Sequence, residues 1–376
     1  MKNIFSLLCT GLIGMLTACE TILPENIPEN EKWGITLNAV ANPDTTFKAY
    51  VTHCYPNNEA PEYAYPYYTN NGHWEPDPVL HYLYSMLYDY SLADNPVPFN
   101  IVENYNLIKK STLADAKVEL TVNEKNVYPM RYDTLMLCFQ SDYTPKIGDH
   151  IEVRIKNPAG EQTVAHTEIP RPQKLEIVKV ETQLLEKEEY LREPAIGDNK
   201  GYVTMTLRLH DPSHEKNYYR LVVRGFEMNV GNDYHNFYKT WDIFQSSAPI
   251  FRDERLTTSW NTWPAYFSNV FDDTLINGES YEFEVKAYAL GVTYDNLWPT
   301  YEVSLQSITE DYYRYLKSLQ LYKISTLSTT FSEGVYIHSN NEGGWGLLGG
   351  ISGEVHRVEP FKGMNESSEG NGSPTN

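Results

Sequence analysis

The sequence lacks the short motifs that mark several common classes of enzyme. It has no H-E-x-x-H pair for zinc, no C-x-x-C, no phosphate-binding loop and no G-x-S-x-G nucleophile turn. The run Gly350-Ile351-Ser352-Gly353 comes closest to the last motif, but Glu354 stands where the second glycine belongs. We therefore expect a protein that is not an enzyme, without catalytic residues or a cofactor. A hydrolase would need a site assembled from scattered acids.

Basic residues are scarce beside acidic ones. The chain has 30 Lys and Arg against 50 Asp and Glu, which gives a formal net charge of −20 at pH 7. A surface with this balance repels nucleic acid and anionic lipid. We expect no nucleic-acid partner, and the charge suits a soluble body held off a membrane by a tether.

Long apolar runs are absent except in the first twenty residues. Lys2 precedes an apolar stretch over residues 4–16, which is shorter than the about 20 residues that a spanning helix needs. The run Leu16-Thr17-Ala18-Cys19 resembles a bacterial lipobox, in which the cysteine thiol is acylated after cleavage. Residues 1–18 are therefore predicted to be a lipoprotein signal peptide and Cys19 the lipidated residue, carrying acyl chains such as palmitate. The alternative is an ordinary cleavage site with a chance cysteine.

An acyl anchor at Cys19 sets the expected location. Several acyl chains, at about 0.8 kcal/mol per buried CH₂, hold a protein on a bilayer stably. Residues 19–32 are polar and contain two prolines, which indicates a stiffened tether. The lipid bilayer is thus the first predicted partner, and the anchor is the only membrane attachment that the sequence predicts.

Few cysteines remain for disulfides. Of the four in the chain, Cys9 belongs to the signal peptide and Cys19 is predicted to be lipidated, which leaves Cys54 and Cys138. An exported compartment permits a disulfide between these two. Two buried free thiols, which behave as small hydrophobic side chains, are an equally good interpretation.

The rest of the chain alternates between apolar and polar residues with the period of two that is typical of β-strands. Strand patterns cover residues 35–40, 47–54, 116–122, 151–156, 162–169, 175–180, 202–209, 218–223, 281–288 and 298–305. The run Pro170-Arg171-Pro172 marks a boundary. We predict a mainly β protein with two β-sandwich domains, similar to immunoglobulin or fibronectin domains, over residues 33–172 and 173–362. Residues 363–376 are predicted to be a disordered tail.

Residues 56–110 interrupt the strand pattern with many prolines and tyrosines. We interpret this stretch as an ordered insertion in the first sandwich, because its aromatic content is too high for disorder. Tyrosine and tryptophan suit stacking on sugars or anchoring a protein interface. The candidate binding residues are Tyr63, Tyr65, Tyr67, Tyr68 and Trp74. Filling the β core is the competing role for these rings.

A helix followed by a glycine-rich segment organises the C-terminal part. We predict the helix over residues 308–323, opened by a capping box between Ser307 and Glu310. Its apolar face consists of Tyr312, Tyr315, Leu316, Leu319 and Tyr322. The run Val335-Tyr336-Ile337-His338 is strand-like. The glycines of residues 343–350 surround Trp345, which indicates backbone that turns tightly and runs close to a neighbour.

Two polar clusters could be considered as metal sites, and an ordinary turn accounts better for each. His210, His214 and Glu215 lie in a proline-containing turn, where solvated side chains are more common than zinc ligands. Asp272 and Asp273 precede a strand, and a charged turn suits them better than Ca²⁺, which needs roughly six or more oxygens. We predict no metal site.

Several motifs together resemble a known family. They are Asp211-Pro212 with Tyr218-Tyr219, Phe271-Asp272-Asp273 before Asn277-Gly278, Tyr312-Tyr313-Arg314-Tyr315-Leu316, Ser339-Asn340 and Gly343-Gly344-Trp345-Gly346. With the lipobox and the opening Leu37-Asn38-Ala39, the chain resembles the Bacteroidetes lipoproteins called domain of unknown function 4249. These motifs are structural, and residues 56–110 look longer than the family pattern.

The resemblance implies a role near nutrient uptake, because such lipoproteins are often encoded beside TonB-dependent outer-membrane receptors. The expected function is that of a non-enzymatic outer-membrane lipoprotein that assists a TonB-dependent receptor by binding the receptor, its cargo, or both. The alternative is a glycan- or peptide-binding surface lipoprotein that acts without a transporter. We favour the cell surface over the periplasmic face of the outer membrane.

Overall fold

The computed structural model describes residues 34–53, 67–70, 73–76, 109, 111–184, 201–226, 239–240, 244–256, 266–289, 300–327 and 335–359. These residues form a mainly β protein, as the sequence predicts. The strands, in chain order, are β1 (Ile35–Ala41), β2 (Lys48–His53), β3 (Tyr67–Asn70), β4 (His73–Pro76), β5 (Lys117–Val122), β6 (Asn126–Pro129), β7 (Arg131–Asp133), β8 (Cys138–Gln140), β9 (His150–Lys156), β10 (Gln162–Glu168), β11 (Leu175–Leu184), β12 (Gly201–His210), β13 (Tyr218–Phe226), β14 (Lys239–Thr240), β15 (Phe244–Gln245), β16 (Val270–Asp272), β17 (Ser280–Ala289), β18 (Thr300–Ile308) and β19 (Gly344–Val358). Helix α1 spans Glu310–Leu327.

A nine-stranded sheet runs through the molecule in the order β14-β13-β18-β19-β1-β2-β8-β7, with β16 on β13. Strand β19 makes this continuity possible because its two halves have different partners. Its first half pairs parallel with β1, from Ile35 opposite Gly344 to Ala41 opposite Gly350. Its second half pairs antiparallel with β18, from Ile351 to Val358. A strand of the predicted second domain therefore completes a sheet of the predicted first domain.

The first half of this sheet packs against the sheet β10-β9-β5-β6 in a sandwich-like arrangement. The alternating pattern of β9 explains this packing, because the buried residues of β9 all lie on one side of the strand. The shared core includes Leu37, Val51, Leu120, Val153 and, from β19, Leu348. Strands β9 and β10 pair antiparallel, as their sequence patterns predict.

The second half packs in the same way against the sheet β11-β12-β17-β15. Its core is rich in aromatic side chains, which contact one another edge to face or tilted. Phe251 is central, with ring-centroid distances of 5.2 Å to Phe271 and 5.4 Å to Phe283. Tyr219 and Tyr301 are fully buried in the same core.

Helix α1 packs across the point where the two halves meet. Tyr312 is buried in a small cluster with Val40 of β1, Val270 of β16 and Ile308 of β18. Tyr315 and Leu316 pack against that cluster and are partly exposed, and Tyr322 at the end of the predicted apolar face is 42% exposed. Among the described residues, no helix has the length and apolar character needed to cross a membrane.

The predicted start of the helix is wrong. Ser307 lies in β18, where it is buried and its hydroxyl accepts a hydrogen bond from the backbone N–H of Gln173 (3.2 Å), so it forms no capping box with Glu310. The pairing of β18 with β19 continues to Ile308 and outweighs the local helix signal. Thr309 begins the turn instead, with its carbonyl accepting from the N–H of Tyr313.

A second correction concerns the strand-like run over residues 335–338, which adopts no strand. Side chains of α1 bind this run, and these contacts replace the hydrogen bonds that a neighbouring strand would supply. The hydroxyl of Ser318 accepts from the backbone N–H of His338 (2.9 Å), and the carboxylate of Asp311 contacts the His338 ring (2.8 Å). The sequence shows the apolar alternation but not these competing partners.

The close approach predicted for the glycine-rich segment is confirmed. A Cβ at Gly344 would lie 2.4 Å from the carbonyl oxygen of Ile35, and one at Gly346 would lie 2.1 Å from that of Leu37. Gly346 also has φ +100°, which L-residues rarely adopt. These two glycines let β19 run beside β1.

Candidate functional site

The predicted lipidation and disulfide residues are only partly within the described structure. Cys19 and Cys54 lie outside the described residues. Cys138 is buried in β8, and burial raises the pKa of its thiol to about 11. The disulfide between Cys54 and Cys138 and the lipidation of Cys19 therefore stay predictions.

The predicted aromatic binding residues fall on a small hairpin. Tyr63 and Tyr65 lie outside the described residues. Tyr67 and Tyr68 belong to β3 and Trp74 to β4, and among the described strands these two pair only with each other. Their antiparallel pairing places backbone from the two parts of the aromatic run side by side.

The Asp211 motif folds into a buried corner of the second sandwich. The hydroxyl of Tyr219 donates to Oδ1 of Asp211 (2.5 Å), and the backbone N–H of Gly278 donates to Oδ2 (3.0 Å). Burial raises the pKa of Asp211 above its ordinary value, and these hydrogen bonds offset only part of that rise. Burial also raises the pKa of Tyr219 strongly, so its hydroxyl stays protonated and can donate to Asp211. Both groups thus join the Gly278 turn to β13.

The Asp272-Asp273 pair forms a charged turn, as the sequence predicts. Asp272 precedes a 3-10 turn and accepts from the backbone N–H of Thr274 (3.0 Å), while Asp273 accepts from that of Asn217 (2.7 Å). The ammonium of Lys216 lies 3.3 Å and 2.7 Å from the two carboxylates. Burial alone would raise the pKa of Asp272, but the Thr274 bonds and the Lys216 charge outweigh it, so the pKa is lowered.

The histidines near this turn are not gathered around a common point. His210 binds the Ser280 hydroxyl through Nδ1 (2.7 Å) and approaches Glu176 through Nε2 (3.4 Å). His214 and Glu215 are exposed. Within the described parts of the chain, no three His, Cys, Asp or Glu side chains are placed to hold a metal ion.

A buried ion pair that the sequence analysis did not identify attaches α1 to the second sandwich. Lys317, 9% exposed, contacts Asp253 at 2.6 Å and also donates to the hydroxyl of Ser268 (3.1 Å). Arg255 binds the same carboxylate through Nε (2.9 Å) and Nη2 (2.8 Å). Burial lowers the pKa of Lys317, and Asp253 opposes that change only in part. The sequence signal for this ion pair was Lys317, a charged residue on the side of α1 that is buried.

The side chain of Asn340, in the Ser339-Asn340 motif, bonds to the backbone of β19 as a neighbouring strand would. The Asn340 amide donates to the carbonyl of Leu348 (2.9 Å), and its carbonyl accepts from the Leu348 N–H (2.9 Å). Asn341 donates to the carbonyls of Leu37 (3.1 Å) and Trp345. These amide groups satisfy backbone atoms at the edge of β1 and β19, so their role is structural.

Two aromatic rings remain exposed on this same end of the sheet. Tyr336 is 66% exposed and Trp345 is 36% exposed, and their ring centroids lie 6.2 Å apart at 61°. A Cβ at Gly34 would lie 3.3 Å from Cδ1 of the Trp345 indole, so the backbone leading into β1 runs against this ring. The pair is an apolar contact surface with polar ring edges. We call it the junction aromatic pair.

Comparison with known proteins identifies a family for this chain. Residues 96–357 match the family described as Domain of unknown function (DUF4249), and this match covers more than half of the chain. Neither curated proteins nor solved structures yield a significant match. The matched range includes the Asp211 corner, helix α1 and most of β19. This chain therefore belongs to the DUF4249 family.

Proposed function

We propose that this protein is a lipid-anchored, non-enzymatic protein of the outer membrane that assists a TonB-dependent receptor in nutrient uptake. It would bind the receptor, its cargo, or both, and it would act at the cell surface. The observation that carries the proposal is the lipobox run Leu16-Thr17-Ala18-Cys19, followed by a polar tether that leads into β1 of a sheet scaffold.

The roles of the motif residues support a binding scaffold. Asp211, Tyr219 and Gly278 hold a corner together, and Asn340 and Asn341 hold the edge of β19. Hydrogen bonds to neighbouring protein groups occupy these side chains, which is how structural polar groups behave. A binding function would then reside on the outer surface, where loops and insertions vary freely.

The aromatic insertion is the proposed contact surface for the receptor or its cargo. Tyr67, Tyr68 and Trp74 lie on the hairpin of β3 and β4, which has no other strand partner within the described sheets. Tyrosine and tryptophan dominate binding hot spots, where truncation typically costs about 2 kcal/mol or more. A hairpin whose sequence carries three such residues suits this role.

Substitution of Cys19 tests the anchor. Cys19→Ala is expected to release the protein from membranes or to leave the signal peptide uncleaved, since the variant has no thiol to acylate. The measurement is membrane fractionation of cells with metabolic labelling by a palmitate analogue. Unchanged fractionation of the variant would refute the lipoprotein assignment.

Combined substitution of Tyr67, Tyr68 and Trp74 by Ala tests the contact surface. We expect loss of the partner β-barrel from pulldowns with an unchanged melting temperature. Tyr322→Ala, at an exposed ring of α1, is the matched control and should retain capture. Lost stability with the partner still captured would show that the hairpin rings belong to the core. Retained glycan or peptide binding by a protein that captures no barrel would instead favour the alternative function.

A further inference from the structure

We infer that the junction aromatic pair, Tyr336 and Trp345, lies against the lipid bilayer and contacts its interfacial layer. The inference rests on the proposed acyl anchor at Cys19, and it adds an orientation and a second, non-covalent membrane contact. The partner is a bilayer with zwitterionic headgroups.

The topology places the pair at the tethered end of the molecule. Strands β1 and β19 are parallel, and Ile35 is opposite Gly344. Parallel strands begin at the same end of a sheet, so the segment before β1 and the segment before β19 meet there. Trp345 follows directly in β19, and its indole lies beside Gly34, where a Cβ would be 3.3 Å from Cδ1. The two rings therefore flank the point at which the tether joins the body.

The length of the tether keeps this end close to the anchor. Cys19 and Gly34 are separated by residues 20–33, and a chain of this length spans at most about 50 Å when fully extended. A flexible chain of the same length has a root-mean-square span of about 20 Å. The end that carries Tyr336 and Trp345 is thus the part of the described body that the anchor holds nearest to the bilayer.

The chemistry of the pair fits the membrane interface. Tryptophan and tyrosine combine an apolar ring with a polar N–H or O–H, and they concentrate at the level of lipid headgroups. The backbone that carries Trp345 is also held in place, because the Asn341 amide donates to the carbonyl of Trp345 and to that of Leu37. The Tyr336 ring lies 6.2 Å from the Trp345 ring, so one flat surface can meet both.

The charge of the protein selects the type of lipid. Glu342, two positions before Gly344, is exposed beside the pair, and the whole chain has a formal net charge of −20. An anionic headgroup layer would repel this end, whereas a zwitterionic layer would not. The tether therefore holds most of the acidic body off the membrane, while this one end rests on it.

Bromine quenching of tryptophan fluorescence tests the inference. The acylated full-length mature protein is reconstituted in phosphatidylcholine vesicles with plain or brominated acyl chains. Brominated chains are expected to quench part of the fluorescence of the wild type. Trp345→Phe should lose most of that bromine-dependent part, and the difference isolates Trp345 among the seven tryptophans of the chain.

Two further variants separate membrane contact from misfolding. Tyr336→Ala removes the most exposed ring and should weaken the quenching of Trp345 while leaving the melting temperature unchanged. Tyr266→Ala removes a ring of the second sandwich that is 37% exposed, close to the 36% of Trp345, and should change nothing. Trp345→Phe should melt with the wild type, which shows that lost quenching is not lost folding.

The outcomes distinguish this inference from the proposed function. Wild type that does not float with the vesicles refutes the anchor, and the placement of the rings is refuted with it. Wild type that floats but shows equal quenching in Trp345→Phe refutes the placement alone. Quenching that is equally strong for Tyr336→Ala also contradicts a surface made by both rings.

Discussion

Replacement of Gly346 by Ala tests whether the approach of β19 to β1 holds the molecule together. The substitution carries two costs. The first is conformational, because φ at this position is +100°, and a non-glycine residue in such a region costs about 1–3 kcal/mol. The second is steric, because the new Cβ would lie 2.1 Å from the carbonyl oxygen of Leu37.

Relief of that clash requires β1 and β19 to separate by roughly 1 Å, which weakens neighbouring hydrogen bonds worth about 0.5–1.5 kcal/mol each. With about two bonds affected, Gly346→Ala should cost about 2–6 kcal/mol in free energy of unfolding. Gly160→Ala is the matched control, since Gly160 has φ +91° but open space around a Cβ. Gly160→Ala should therefore cost only the conformational energy of a positive φ, about 1–3 kcal/mol.

Guanidinium chloride unfolding followed by circular dichroism measures both variants. For an m-value of about 4 kcal/mol/M, an extra cost of about 2 kcal/mol lowers the midpoint of Gly346→Ala by about 0.5 M relative to Gly160→Ala. Because β19 belongs to both sandwiches, the spectroscopic signals of both should shift together. Equal midpoints for the two variants would refute the view that close packing of β1 and β19 requires Gly346.

Three further predictions concern the buried polar groups. Asp253→Ala leaves Lys317 buried without its partner and should cost about 3–5 kcal/mol, whereas Lys317→Met should cost much less; equal losses in thermal melts would contradict this. The pKa of Asp253 is lowered in the folded state because, although burial opposes ionisation, the bonds from Arg255 and Lys317 outweigh it. Its contribution is therefore present above about pH 4 and is lost as pH falls through the lower folded pKa, so wild type should lose more stability in acid than Asp253→Asn in pH-dependent unfolding. Tyr219→Phe removes the hydrogen bond to buried Asp211 and should cost about 1–3 kcal/mol in denaturant unfolding; an unchanged midpoint would show that water replaces the hydroxyl.

Local patterns in the sequence predict much of the mainly β fold. Strands β9, β10, β12 and β17 follow patterns that alternate because one face is buried, and such alternation is visible without knowing the partner strand. The close approach at Gly344 and Gly346 was likewise predictable, since glycine inside a strand-like run usually marks a bulge or a neighbouring backbone that leaves no room for a Cβ.

Errors arose where distant contacts outweigh local signals. Ser307 and Glu310 form a good capping box in sequence, but pairing with β19 extends β18 past Ser307. The apolar run at residues 335–338 is held by Ser318 and Asp311 of α1 instead of by a sheet.

The candidate site was less predictable than the fold. Trp345 becomes a neighbour of Gly34 only through the parallel pairing of β1 with β19, which no local pattern reveals. The burial of Lys317 also depends on a partner, Asp253, that is distant in sequence.

The pairing of β1 with β19 has a consequence for the order of folding. The bond from Asn341 to Leu37 joins residues 304 positions apart. A ribosome that adds 5–20 residues per second delivers the second partner roughly 15–60 seconds after the first. During that interval β1 lacks the neighbour that completes its sheet, and the first sandwich cannot close. The nascent chain therefore stays in an open form, and the edge of β1 that later pairs with β19 stays exposed during this time.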